Sequence, residues 1–120
     1  MSHVTVEKIG RAGVIGLDRP KALNALDLAM IEGIGGALDR FEVDRSIERI
    51  VLRSNHDKAF CVGGDLRRIL ELSGAGHYTE AERFFQTEYA LNLRIATYPK
   101  PYVSLIDGMC FGGGLGLSRH

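Results

Sequence analysis

Two glycine clusters and one glutamate on a helical stretch are the features of this sequence best suited to chemistry. Gly63-Gly64-Asp65 follows an apolar, strand-like run, and Gly112-Gly113-Gly114 stands where a turn runs into a helix. Glycine allows a ligand close to backbone N–H groups because no side chain obstructs the approach. At a helix start the macrodipole adds partial positive charge to the free donors. Two such N–H groups aimed at one point form an oxyanion hole, able to stabilise a carbonyl oxygen that gains negative charge. The structural alternative is that both clusters are turns that permit close packing. Neither cluster ends in Gly-Lys-Ser/Thr, and neither has the Gly-x-Gly-x-x-Gly spacing after a strand, which disfavours nucleotide hydrolysis and NAD chemistry.

Glu88 is the third feature. Ala81, Phe84, Phe85, Leu91 and Ile95 recur at helical spacing as one apolar stripe, and Glu88 and Asn92 fall in the same stripe at i, i+4. A carboxylate turned toward a core is costly unless it reaches a ligand cavity or a partner, so a substrate-facing role and a structural ion pair both stay open. His56, His77 and His120 fall in loops or at the end of the sequence and read as solvated. Cys61 sits in an apolar run and reads as a small packed side chain. Ser104 lies within a strand with no nucleophile-elbow pattern around it. Lys21 could meet a phosphate, with a solvated loop lysine as its bland alternative.

The elements that must position these groups alternate between strand and helix. His3 to Ile9 and Gly13 to Leu17 read as a hairpin turning at Gly10-Arg11, and Asp18-Arg19-Pro20 stops the second strand. Asp27 can cap a helix whose apolar residues are Leu28, Ile31, Ile34, Leu38 and Phe41. Ile47 to Leu52 reads as a strand. A second helix is expected from Thr79, with Glu82 completing a capping box, to about Ala96. Pro99 and Pro101 exclude its continuation, and Tyr102 to Ile106 reads as a buried strand. The result is an α/β arrangement without an obvious internal repeat. The sequence stops at Ser118-Arg119-His120 just inside a helix, so residues 1–120 read as an N-terminal fragment of a single domain.

Composition narrows the function classes. A chain of 120 residues with 45% hydrophobic residues supports one modest core. Fifteen basic residues balance fifteen acidic ones, which removes the electrostatic footprint of a nucleic-acid or membrane-surface binder and points to a small-molecule partner. Cys61 and Cys110 lack metal-ligand companions, so no metal is implied. They form no disulfide framework either, and no export or transit pattern is visible. A reducing, cytoplasmic location is the expectation.

Arg19-Pro20-Lys21-Ala22-Leu23-Asn24-Ala25-Leu26, Ala59-Phe60-Cys61-Val62-Gly63-Gly64-Asp65-Leu66, and Pro101 to Gly108 followed by Gly112-Gly113-Gly114 together resemble the crotonase superfamily in order and spacing. Phe84 to Asn92, Ala96 to Val103 and Gly112 to His120 further resemble its 3-hydroxyisobutyryl-CoA hydrolase family. The resemblance implies the N-terminal part of a crotonase-type spiral of β-β-α units. It also implies an acyl-CoA substrate, with coenzyme A as part of that substrate and no separate cofactor. Gly64 and Gly113 fall on the positions of the oxyanion donors. Lys21, Ala22, Leu23, Ala59, Gly63, Asp65 and Leu66 fall on segments lining the coenzyme A site, and Glu88 on a glutamate of the substrate site.

One departure matters. Enoyl-CoA hydratases of the superfamily commonly carry a catalytic glutamate where this chain has Gly116, and glycine transfers no proton. The resemblance therefore favours hydrolysis of 3-hydroxyisobutyryl-CoA, an intermediate of valine breakdown. Another hydratase or isomerase activity, or a non-catalytic acyl-CoA-binding or assembly module, is the alternative. The central carboxylates of the hydrolase family lie downstream of these residues, so the 120 residues alone are expected to be inactive. Superfamily members commonly form trimers and hexamers, which leaves a homo-oligomer open.

Overall fold

The computed structural model describes residues 3–22, 24–56, 59–61, 78–105 and 109–110. Strands β1 (Val4–Ile9) and β2 (Ala12–Leu17) form the expected hairpin, with Val4 opposite Leu17 and Ile9 opposite Ala12. Gly10 turns the chain with φ of 58°, a left-handed conformation that costs glycine little. After Leu17 a 3-10 turn, Pro20–Ala22, leads to helix α1 (Leu28–Val43). Asp27 caps α1 as its position predicts: the Met30 N–H donates to Asp27 Oδ1 at 2.8 Å.

Strand β3 spans Arg49–Ser54, two residues later than the sequence pattern places it. Ile47 is buried, but its N–H closes a turn onto the Asp44 carbonyl at 3.0 Å. The ladder with β2 begins only where Arg49 meets Ala12. Strand β4 (Ala59–Cys61) precedes helix α2 (Tyr78–Ala96), and β5 (Tyr102–Leu105) and β6 (Met109–Cys110) follow. Thr79 lies inside α2, so the capping box read at Thr79 and Glu82 does not form. Glu82 instead accepts from Gln86 Nε2 at 3.4 Å on the exposed face.

Among the described residues the strands make two sheets, one in the order β1-β2-β3-β5 and one pairing β4 with β6. β2–β3, β3–β5 and β4–β6 are parallel. The described elements therefore read as β1-β2-α1, then β3-β4-α2, then β5-β6, and the third pair of strands lies beside the second, β5 on β3 and β6 on β4. This stacking is the structural repeat that the residue pattern hides.

The core fills the space between the large sheet and α1, with Ile15, Leu17, Met30, Ile34, Leu38, Ile50 and Leu52 fully buried. Gly13 makes room for this packing, because a Cβ there would lie 2.5 Å from the Phe41 ring. Helix α2 adds Phe84, Leu91 and Ile95. Phe85, assigned to the same stripe by periodicity, is 40% exposed. β5 is not the buried strand expected. It stands at the end of the strand order with Val103 and Leu105 about half exposed, so only alternate residues face the core.

The last turn of α1 is closed by the segment after α2. Tyr98 Oη donates to the Leu38 carbonyl at 2.7 Å, and Lys100 Nζ donates to the carbonyls of Phe41 and, at 2.8 Å, Asp44. The carbonyls of Phe41 and Asp44 have no partner within the helix, and a cation there complements its negative end. Arg94 ties the two helices together through Asp39 and the Gly35 carbonyl, the latter at 3.3 Å. Burial, together with the Glu42 and Asp39 carboxylates, pushes the Tyr98 hydroxyl up to about 12.

Candidate active site

The pairing of β4 with β6 is the feature that organises the site. Ala59 is the register partner of Met109, and Cys61 of Cys110. In the sequence Gly64 stands three residues after Cys61 and Gly113 three residues after Cys110, and β4 and β6 run in the same direction. The two glycine clusters are thus reached from neighbouring points at equal chain distance. Leu23, Gly63, Gly64, Asp65, Leu66 and Gly113 themselves lie outside the described residues, as does Gly116.

The segment carrying Lys21 and Ala22 is fastened to the same place. Lys21 is exposed and Ala22 half-buried, both within the 3-10 turn. Two residues on, Asn24 is fully buried with φ of 57°, a left-handed conformation that asparagine tolerates better than most residues. Its Oδ1 accepts from the Arg19 N–H at 2.8 Å and lies 2.9 Å from His56 Nε2. Its Nδ2 donates to Ser54 Oγ at 2.9 Å. Because that Oδ1 can only accept, His56 Nε2 carries a proton. Ser54 Oγ in turn donates to the His56 carbonyl at 2.8 Å. Cys61 Sγ donates to the Asn24 carbonyl at 3.2 Å, joining the turn to β4.

This network revises two readings. His56, taken as a solvated loop residue, is half-buried and hydrogen-bonded. Asn24, which the sequence offers only as part of a polar loop, is the centre of the cluster. Its neighbours in the cluster are up to 37 residues away in the chain, so no local pattern reveals them. The one signal available is the identity of the residue, since asparagine is enriched where a non-glycine backbone turns left-handed. Cys61 is buried and packed, as its apolar setting implies.

Glu88 is half-buried on α2, on the flank of the stripe formed by Ala81, Phe84, Leu91 and Ile95. Burial raises its pKa above the usual carboxylate range. Among the described residues it has neither an ion pair nor a hydrogen-bond partner, so the ion-pair alternative finds no support there. Asn92, one turn further along, keeps a buried Oδ1 that also lacks a hydrogen-bond partner among the described residues. No hydrogen bond among the described residues joins Glu88 to the segment around Asn24 or to β4. Nor do any three His, Cys, Asp or Glu side chains among them gather in a group able to hold a metal ion.

Known proteins share this chain's sequence and fold. Over 99% of its length the chain is 50% identical to the mitochondrial 3-hydroxyisobutyryl-CoA hydrolase of Danio rerio, and over 98% it is 47% identical to that of Homo sapiens. It spans only 31% and 30% of those two proteins. Among solved structures, an enoyl-CoA hydratase from Rhodobacter sphaeroides superposes with a TM-score of 0.92 at 43% identity, over 99% of this chain and 36% of that one. A carnitinyl-CoA dehydratase from Mycobacterium thermoresistibile gives 0.91 at 39% identity, over 96% and 34%. The sequence model of enoyl-CoA hydratase/isomerase matches residues 12–120, which takes in β2 through both glycine clusters. With stacked β-β-α units and the parallel β4–β6 pair in place, the chain belongs to the enoyl-CoA hydratase/isomerase family, the crotonase fold.

Proposed function

We propose that the full-length protein hydrolyses the thioester of 3-hydroxyisobutyryl-CoA to 3-hydroxyisobutyrate and coenzyme A. The observation that carries this reading is the β4–β6 register, which starts the two glycine clusters from adjacent residues. Backbone N–H groups of Gly64 and Gly113 would then hold the thioester oxygen as it gains charge. Losing one such donor costs about 100- to 1000-fold in rate. Glu88, desolvated and unpaired among the described residues, would orient the hydroxyacyl group. Lys21, Ala22, Leu23, Ala59, Gly63, Asp65 and Leu66 would line the coenzyme A portion, and the Asn24 cluster would hold the first of these segments against β4.

A carboxylate from beyond these residues would attack the thioester or activate water. Water supplies the oxygen of the new acid, and the thiolate leaves with a proton as free coenzyme A. The reaction as proposed needs no metal or redox group. The expectation of a cytoplasmic location stands as part of the proposal, while the vertebrate relatives carry the word mitochondrial in their names. Assembly into a homo-oligomer is likewise part of the proposal.

A second reading is hydration of an enoyl-CoA, favoured by the likeness to a solved enoyl-CoA hydratase. It conflicts with glycine at position 116, where the hydratase chemistry wants a carboxylate. Product analysis separates the two. The full-length protein is offered 3-hydroxyisobutyryl-CoA and crotonyl-CoA, and free thiol and hydrated product are measured. Thiol release from the hydroxyacyl thioester, with crotonyl-CoA left intact, supports hydrolysis. Hydrated crotonyl-CoA without thiol release rejects it.

A further inference from the structure

Helix α2 presents three kinds of surface around its axis. At about 100° per residue, Phe84, Leu91 and Ile95 point into the core, while Phe85, Tyr89 and Leu93 lie on an exposed apolar strip, 40%, 69% and 67% accessible. Glu88 and Asn92 fall on the border between the two. Glu88 is only half-buried there. The Asn92 side chain holds its Oδ1 out of water with no donor facing it among the described residues. A buried amide oxygen without a donor is costly, and such atoms in native proteins are rare enough to need a reason.

The neighbours on the helix do not supply that reason. Phe84, Leu91 and Ile95 carry no polar hydrogen in their side chains, and neither Glu88 nor Tyr89 hydrogen-bonds to Asn92 Oδ1. Its donor lies outside the described residues. A hydroxyl on an acyl chain suits this border, because its O–H can donate while its carbon skeleton packs on the apolar side.

We propose that Asn92 is a specificity-determining residue. Its buried, unpartnered Oδ1, one helical turn from Glu88 on the same border, accepts a hydrogen bond from the hydroxyl of a 3-hydroxyacyl-CoA. The inference rests on the reading of Glu88 as substrate-facing. Glu88, half-buried one turn before Asn92, flanks the same position. Asn92 does not touch the reacting carbonyl in this scheme. Its contribution is discrimination between acyl chains with and without the hydroxyl. A site built to bond a hydroxyl rejects the analogue that lacks it, because its polar groups are then left unpaired.

The test uses the full-length protein and two ligands that cannot be hydrolysed, the 3-hydroxyisobutyryl and isobutyryl analogues of acyl-CoA with methylene in place of the thioester sulfur. Calorimetric Kd values are compared for the wild type, Asn92→Leu and Asn92→Asp. The wild type is expected to favour the hydroxylated ligand by about tenfold, the worth of one good hydrogen bond. Asn92→Leu is expected to bind both ligands alike, with its isobutyryl Kd unchanged. Asn92→Asp, which keeps an acceptor oxygen, should retain most of the preference. A preference that survives Asn92→Leu, an equal loss for both ligands, or no preference in the wild type overturns the proposal. If Asn92→Leu fails to fold, Asn92→Ala takes its place under the same criteria. Hydrolysis is scored separately on the true thioester. Asn92-dependent preference without thiol release sinks the hydrolase reading alone, and thiol release without that preference sinks the Asn92 assignment alone.

Discussion

Cys61 and Cys110, 49 residues apart in the chain, are register partners on two short parallel strands. The pairing matters because each cysteine stands three residues ahead of a glycine that the family resemblance marks as an oxyanion donor. A fold that stacks one β-β-α unit on the next repeats not only its helices but also the positions at which its strands end. Two distant glycine clusters thereby start from neighbouring points.

If Gly64 and Gly113 each give an N–H to the thioester oxygen, removing either N–H lowers the chemical step more than binding. Gly64→Pro and Gly113→Pro in the full-length protein should each reduce kcat for thiol release by about 100- to 1000-fold, with a smaller change in KM. Steady-state kinetics check this, with circular dichroism to confirm folding. Loss confined to KM would place these residues in binding only.

Glu88 carries the clearest link between stability and function. Its pKa is raised by burial, so folding favours the protonated form. Its contribution is most favourable below the ordinary glutamate range and is lost as pH rises through the raised value. Glu88→Gln should flatten that fall and leave the protein as stable or more stable at neutral pH, while reducing kcat/KM for the hydroxyacyl thioester. Urea denaturation at several pH values measures the first effect and thiol release the second. A destabilised Glu88→Gln would reveal an ion-pair partner.

Asp44 shows the opposite sign. Hydrogen bonds from the Ser46 hydroxyl and N–H, then from Lys8, hold its carboxyl down to about 2. A depressed pKa gives stability that is present above the ordinary carboxylate value and fades as pH falls through the shifted one. Stability should therefore decline between about pH 4 and pH 2. The Asp44→Asn protein should show a shallower decline in the same acid titration. Identical slopes would remove Asp44 from the account.

Asn24→Ala should destabilise by about 2–4 kcal/mol. It combines the cost of a left-handed backbone for alanine with the loss of bonds to Arg19, His56 and Ser54. Asn24→Gly keeps the backbone at ease and should cost less. Denaturant midpoints rank the two variants, and equal losses would assign the whole effect to the side chain.

What the sequence reveals and what it hides divide by chain distance. The Asp27 cap, the α1 stripe and the β1–β2 turn are legible because each is a signal contained within one element. The start of β3 is misplaced by two residues because an apolar run does not say where its ladder begins, and Arg11 and Asp44 decide that through backbone bonds. The Phe85 assignment fails because a helical stripe has no marked edge, and Glu88 and Asn92 occupy that edge. The stitching of α1 by Tyr98 and Lys100 is invisible in the sequence, since each side chain meets carbonyls 56 to 60 residues away. The Asn24 cluster and the β4–β6 pair escape for the same reason.

The measurement closest to the central claim is the carbonyl stretch of a bound acyl-CoA analogue with methylene in place of sulfur, recorded by Raman difference spectroscopy on the full-length protein. Two backbone donors converging on that oxygen should lower its frequency relative to the free ligand, and Gly64→Pro and Gly113→Pro should each recover part of the difference. An unshifted carbonyl, or a shift that neither variant alters, would contradict the account.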